Sequence, residues 1–446
     1  MFEQLIDFLN SRTVLILGFG REGRSTYNII RRHLPEKDIG IADIKEIDLS
    51  DEHVSLFTGK DYIDCIKNYE VIIKTPGISL SNYILPKNAV ITCQTDLFLN
   101  YSDCPCVGVT GTKGKTTVAT LIYQMLAKSG KNAALIGNVG LPALDTLEDR
   151  EPEVAVVEMS SRQLEFTTAS PHIAVLTNIY REHIEHHNGF TGYVTSKLNI
   201  ARHQSTKDYF VCNALQSYDG YCDFSKINST VIKVGSDIAG YERIYEAVEQ
   251  NAYLIGNHNM QNAFLAATAA RRLGVDDKDI CGAIVEYQGI EHRLEPIGTV
   301  EGIKFYNDAI ATIPQATVCA VEGLGDVDTL IFGGMSVGVL FDEFENYLYN
   351  SKITNLIGLP DTGRKICTNL ANRGSAKNLI LAEDMESAVE KAFMVTKKGC
   401  SCLMSPAASS YNVYKDYEHK GKHFKKLVTE RLKQSEPGQV DLSLDG

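Results

Sequence analysis

Lys115 and Thr116 stand near the end of the stretch GVTGTKGKTT, residues 108–117, behind Gly108, Gly111 and Gly114. A lysine and a hydroxyl at the mouth of a glycine-rich turn can hold a nucleotide. Backbone N–H groups of such a turn face the phosphates, and the N-terminus of the following helix adds partial positive charge. Lys115 would reach the outer phosphates, and the Thr116 hydroxyl would serve Mg²⁺. The common pattern G-x-x-x-x-G-K-[ST] needs a glycine at Val109; here the glycine falls at Gly111, so the loop is of a shortened design. Gly111, Thr112, Lys113, Gly114, Lys115, Thr116 and Thr117 are the expected nucleotide-phosphate contacts. Glu158 ends the apolar run VAVV, where a strand end can deliver a carboxylate. Carboxylate and hydroxyl oxygens together suit a hard cation. His183, His186 and His187 lie close in REHIEHH, but no cysteine or second cluster completes a zinc site. Lys197, in SKLNIAR, reads from its own surroundings as a surface lysine on a helix.

The elements around these groups repeat one order: strand, glycine turn, helix. TVLILGFGREGRSTYNIIRRHL (13–34) runs from an apolar strand through Gly18, Gly20 and Gly23 into helical spacing. That is G-x-G-x-x-G, and IGIADI (39–44) follows with Asp43 near its end. A dinucleotide enzyme uses such a turn for pyrophosphate and such an acid for ribose, so an NAD-dependent oxidoreductase is a rival reading. VIIKTPGISL (71–80) carries Thr75, Pro76 and Gly77 at its tip. CVGVT (106–110) supplies the strand before the Lys115 loop, and a helix follows it. VAVVEMSS (154–161), IAVLTNI (173–179), YFVCNA (209–214) and TVIKVG (230–235) read as further strands, and HNMQNAFLAATAARRLG (258–274) as a helix ending at Gly274. From about residue 298 the alternation resumes in GIKFYNDAIAT, DTLIFGG, ITNLIGL, NLILAE and SCLMSPAA. The expected fold class is α/β in three domains with mostly parallel sheets. They are a Rossmann-like domain over 1–95, a P-loop ATPase-type domain over 96–297 and a Rossmann-like domain over 298–446.

The composition bounds the rest. Across 446 residues the formal net charge is −12, which argues against a nonspecific grip on nucleic acid or an anionic membrane. The start MFEQLIDFLNSRT lacks a basic flank and a long apolar run, so no signal peptide is expected. Eleven cysteines without C-x-x-C spacing fit reduced thiols, and a cytoplasmic monomer is expected.

The shortened loop T-G-T-x-G-K-[ST]-T resembles that of the Mur ligase family, the ATP-dependent amino-acid ligases of peptidoglycan synthesis. GNVG (137–140), VEMSSRQLE (157–165), TNIYREHIEHH (177–187), SKLNIARH (196–203), GNHNMQNAFLAA (256–267), GIEHRLEPIG (289–298), YNDAIAT (306–312) and MSPAASSYNVYKDYEHKGKHF (404–424) resemble family blocks in family order. The resemblance implies a ligase that adds D-glutamate to UDP-N-acetylmuramoyl-L-alanine through an acyl phosphate, with ATP and two Mg²⁺ ions. It implies that the first turn, with Gly18, Gly20, Arg21, Glu22 and Gly23, receives UDP and not NAD. Thr75, Gly77, Asn138 and Ser160 would line the path of the UDP-sugar. Lys115, Glu158, His183 and Lys197 would be catalytic, with Thr116, Glu158, His183 and Lys197 at the metals and Lys197 carbamylated by CO₂. Asn259, Asn262, Arg293 and Asp308 would contact ATP. Thr312, Ser410, Tyr411 and Tyr417 would meet D-glutamate.

The sequence departs from the family in the last domain. The familiar NDSKAT or NDSIAT is NDAIAT, with Ala309 for serine, and Ser336 and Val337 stand where the family carries charge. Either another cation, such as Lys415, compensates at the amino-acid carboxylate, or the amino-acid choice or affinity has changed. Altered amino-acid specificity and a catalytically weakened paralogue stay open as alternatives.

Overall fold

The computed structural model describes every residue except 82, 148–151, 182–184, 217–223, 236, 336–340, 412 and 436–446. It forms two compact units, Met1–Asn251 with Asn257–Tyr287, and Ala252–Gly256 with the chain from Gln288 onward.

The first unit carries two sheets. One comprises β1 (Val14–Leu17), β2 (Ile39–Asp43), β3 (Val54–Thr58), β4 (Val71–Lys74) and β5 (Val90–Thr92), parallel throughout in the order β3-β2-β1-β4-β5. β1 is buried at all four residues. Alternate side chains leave a strand on opposite faces. Val14 and Ile16 therefore join one apolar cluster with Ile29 and Ile30, and Leu15 and Leu17 join another with Ile63 and Ile66. A strand covered on both faces reads as an unbroken apolar run, which is why VLIL is legible.

The second sheet comprises β6 (Cys106–Thr110), β7 (Ala133–Gly137), β8 (Val154–Glu158), β9 (Ile173–Leu176), β10 (Tyr209–Asn213) and β11 (Thr230–Val234). Its order is β11-β10-β9-β6-β8-β7, again all parallel. The chain leaves β6 for the far edge, returns as β8 beside it, and then crosses to β9 on its other flank. Beyond the carboxyl end of β6 the sequence order reverses, and open parallel sheets bind ligands at such a point. Pairing sets Glu158 opposite Val109, two residues before Gly111, and Thr110 opposite Leu176.

The second unit holds β12 (Glu295–Val300), β13 (Ile303–Asn307), β14 (Val327–Phe332), β15 (Asn355–Gly358), β16 (Asn378–Leu381) and β17 (Ser401–Met404) in the order β12-β13-β17-β14-β15-β16. Only the β12–β13 pair is antiparallel. Glu301 and Gly302, both at positive φ, make its two-residue turn. The α/β class with mostly parallel sheets is what the structure contains. Among the described residues no helix is long and apolar enough to cross a membrane.

Candidate functional site

The Lys115 loop bridges β6 and the helix Lys115–Lys128, whose N-cap is Gly114 at φ 83°. The strand beside β6 fixes its shape. Thr112 N donates to Asn178 O at 2.8 Å, Lys113 N to Asn178 Oδ1 at 2.8 Å, and Thr177 Oγ1 to Lys113 O at 2.6 Å. The hydroxyls of Thr112 and Tyr193 lie 2.9 Å apart. Thr177, Asn178 and Tyr193 were not singled out from the sequence. The available signal was the TN pair directly after the apolar run IAVL, at the strand end adjoining the loop. Lys115 Nζ donates to Gly111 O at 3.1 Å and Thr112 O at 3.0 Å, so the lysine lies back over its own loop. Thr116 sits half-buried one residue into the helix.

Gly111 cannot be another residue. Its φ is 151°, and a Cβ there would fall 1.8 Å from Thr177 Oγ1. Gly111→Ala is therefore expected to cost about 1–3 kcal/mol of stability from backbone strain alone, before any clash is counted. Calorimetry should record a lower thermal midpoint together with lost nucleotide binding. An unchanged midpoint would contradict this account of the loop.

Asn262 comes to the same place from the helix Asn257–Arg272. Its side chain is buried, donates to Asn259 Oδ1 at 3.2 Å, and would lie 2.5 Å from a Cβ on Gly114. The two asparagines thus share the helix face turned to the loop.

Glu158 is 1% exposed. Its Oε1 accepts from Asn138 Nδ2 at 2.7 Å, while Oε2 is buried with no hydrogen-bond partner among the described residues. A buried carboxylate oxygen without a donor is costly, and an oxygen-seeking cation would satisfy it. The chemistry of Glu158 with the Thr116 hydroxyl fits Mg²⁺. Asn138 N also donates to Glu158 O at 2.9 Å, so the GNVG turn is fastened to this acid. Arg21 ties the first glycine turn to it in turn, through Gly140 O at 3.2 Å and Gly137 O at 3.3 Å.

In that first turn, Gly20 caps the helix Arg21–His33. Gly18 sits so close to Thr75 that a Cβ would lie 2.0 Å from its Oγ1, and a Cβ on Gly23 would lie 2.0 Å from Gly18 O. Gly77 is exposed in the loop after β4. Asp43, the ribose acid of the rival reading, instead accepts from Phe19 N at 2.7 Å. Burial pushes the Glu22 carboxyl up to about 6, against the lowering influence of Arg21. Ser160 caps the short helix Ser161–Leu164 in a reciprocal box with Gln163.

His183 lies outside the described residues. His187, its neighbour in REHIEHH, is 6% exposed. Hydroxyls of Ser161 (3.0 Å) and Ser196 (3.2 Å) hold its two ring nitrogens, and His186 Nε2 meets Glu165 Oε2 at 3.2 Å. Lys197 is not on the surface: it is 2% exposed. Its Nζ donates to Gly111 O at 2.6 Å, the carbonyl that Lys115 also uses, and stands 4.7 Å from the Tyr193 ring centre. Tyr193 lies one helical turn before Lys197, so both project from one face of the helix Phe190–Arg202.

The second unit gathers another group. Asp308 is 4% exposed, accepting from Leu294 N at 3.2 Å and Ser405 Oγ at 2.7 Å. Burial pushes its carboxyl up to about 7, although these donors and nearby Arg293 favour the charged form. Thr312 follows in the same loop, half-buried, and Ala309 is fully buried. Tyr417 packs edge-on to His292, ring centres 6.3 Å apart. Ser410 is buried, whereas Tyr411 is 70% exposed and Lys415 is exposed. Ser336 and Val337 lie outside the described residues.

A glycine loop with a lysine, set at the switch point of a parallel sheet beside a buried strand-end acid, defines a nucleotide-binding α/β protein of the P-loop type. A model of the Mur ligase middle domain matches residues 109–270. The chain is 30% identical to the UDP-N-acetylmuramoylalanine–D-glutamate ligase of Ligilactobacillus salivarius, over 97% of this chain and 100% of that one. It is 30% identical to the ligase of the same name from Caldanaerobacter subterraneus subsp. tengcongensis, over 94% and 98%. Two similar solved structures come from Thermotoga maritima. One is a MurF ligase in complex with ADP, at 16% identity and TM-score 0.56 over 94% and 95% of the chains. The other is a UDP-N-acetylmuramate-alanine ligase, MurC, at 19% and 0.55 over 95% and 100%. At such identities these two speak for the fold alone. The chain belongs to the Mur ligase family.

Proposed function

We propose that this protein is an ATP-dependent ligase joining the amine of D-glutamate to the terminal carboxylate of UDP-N-acetylmuramoyl-L-alanine, in the making of peptidoglycan precursor. The observation that carries the reading is end-to-end similarity, at 30% identity, to ligases named for this reaction.

A carboxylate is a poor electrophile. One of its oxygens attacks the γ-phosphorus of ATP, and ADP leaves. The deprotonated amine then attacks the acyl phosphate, and inorganic phosphate leaves. The first step brings two anions together, so positioning and neutralisation carry most of the work. Loop N–H groups and Lys115 hold the phosphates, and Asn259 and Asn262 stand beside the loop to orient the nucleotide. Glu158, aimed by Asn138, and Thr116 are the oxygen donors for Mg²⁺, which when bound would offset the charge between phosphate and carboxylate. Arg21, Glu22 and Thr75 belong to the turn for the UDP moiety. Arg293 and Asp308 serve the nucleotide, and Thr312, Ser410 and Tyr417 the amino acid.

Lys197 in this reading is a carbamate. Lysine reacts with CO₂ only as the uncharged amine. Carbamylation would place an anion beside Lys115, whose Nζ shares Gly111 O with that of Lys197. Action as a cytoplasmic monomer belongs to the same reading.

Phosphate release on UDP-N-acetylmuramoyl-L-alanine, measured with a panel of D- and L-amino acids, tests the reaction. Release dependent on both ATP and D-glutamate is expected. Turnover with another amino acid would support the altered-specificity alternative, which Ala309 favours. Absence of amino-acid-dependent release would overturn the ligase reading.

A further inference from the structure

Lys420 is a buried ammonium. It lies in the helix Tyr417–Ser435 and is 2% exposed. Its Nζ donates to Gly333 O at 2.8 Å, and the Tyr414 ring centre is 6.0 Å away. No carboxylate among the described residues is paired with it, and burial alone lowers its pKa to about 8. An ammonium has three donors, and a buried charge without a counter-ion is costly.

A second buried polar group belongs to the same loops. Ser410 is 2% exposed, and its Oγ has no hydrogen-bond partner among the described residues. The chain around Gly333 is zipped to the chain before Ser410. Gly333 N donates to Pro406 O at 2.9 Å, Met335 N to Ser409 O at 2.8 Å, and Ser409 N to Met335 O at 3.2 Å. Tyr414 N, whose ring lies near Lys420, donates to Ser410 O at 3.0 Å. A cation with unused donors and a hydroxyl with an unused donor thus flank one pair of loops. A carboxylate answers both, accepting a charge-assisted bond from the ammonium and a second from the hydroxyl.

We propose that Lys420, with Ser410, holds a carboxylate of the incoming amino acid. The inference rests on the ligase reading and names the cation of its amino-acid site. Lys415 was the candidate from sequence, but it is exposed, and an exposed ammonium binds a carboxylate weakly against water.

Lys420→Met in the full chain tests this. KM for D-glutamate should rise about 10- to 100-fold, the loss typical of a charge-assisted contact. KM for ATP and for the UDP-sugar should hold, and kcat should change by less than about threefold, because the contact is equal in ground and transition states. Lys420→Arg should restore most of the affinity. The thermal midpoint of Lys420→Met should equal or exceed that of wild type, since an apolar chain replaces an unpaired buried charge. A lower midpoint with unchanged KM for D-glutamate would mark a structural lysine and overturn the proposal. Ser410→Ala gives an independent arm: a raised KM for D-glutamate supports the site, and an unchanged one counts against it. Calorimetric titration with D-glutamate separates this from the ligase reading. Binding by wild type that is lost in Lys420→Met supports the site even without turnover. Equal binding by both, or none by wild type, overturns it.

Discussion

Lys115→Ala should lower ATP-dependent phosphate release by at least about 10²-fold, the usual consequence of removing one group that stabilises charge in the transition state. Lys115 is held for that task. It leaves the first turn of its helix and folds onto Gly111 O and Thr112 O, at 3.1 and 3.0 Å, which keeps its ammonium over the loop that would carry phosphate. An alanine leaves the clamp from Thr177 and Asn178 intact, so the loop should keep its shape and the protein its thermal midpoint. Binding of the UDP-sugar should survive, because its proposed turn at Gly18–Gly23 follows β1 in a different sheet. Turnover above about a tenth of wild type would contradict the role given to Lys115, and lost UDP-sugar binding would contradict the separation of the two sites.

Lys197→Ala should be inactive for the opposite reason. If the side chain works as a carbamate, the substitution removes an anion, and a short carboxylate such as acetate or formate can restore one in the space left. Activity should therefore return in part, rising with acid concentration and saturating. Lys115→Ala should show no rescue, because a cation is missing there. The burial of Lys197 strengthens this expectation. At 2% exposure the chain opens a closed space between Tyr193 and Gly111 when truncated. Absence of rescue in Lys197→Ala, with nucleotide binding intact, would leave Lys197 as a structural tie to Gly111. Mass spectrometry of the intact protein in bicarbonate, read for the added mass of CO₂, is the direct check.

What the sequence alone carried was whatever is written in short-range pattern. Strands buried on both faces appear as unbroken apolar runs, so VLIL, CVGVT, VAVVE and IAVL could be placed within a few residues. The Lys115 loop was legible because glycine and lysine at that spacing, between a strand and a helix, meet a local geometric demand. The strands that escaped notice, β3, β5, β7 and β12, all lie at sheet edges. An edge strand is half-exposed, as the exposed Ser55 and Leu56 of β3 and the exposed Val90 of β5 illustrate, and its mixed composition resembles a loop.

Tertiary structure alone decided who meets whom. Nothing local tells that Lys197 and Lys115, 82 positions apart by their numbers (197 − 115), share the carbonyl of Gly111. Nothing local tells that Asn138 aims Glu158, or that Asn178 clamps Lys113. The Asn138 contact follows from the β7–β8 register, the Asn178 clamp from the β6–β9 register, and the Lys197 contact from the packing of the helix Phe190–Arg202 against the loop after β6. Burial was equally hidden for single charged residues. Lys197 reads as a surface lysine in sequence, nothing local marks Lys420 as buried, and Tyr411, placed with Ser410 at the amino acid, is exposed. A side chain's composition does not record which face of its element is covered. Only the packing of other elements over it decides whether an amine stays in water or is held, desolvated, for an anion.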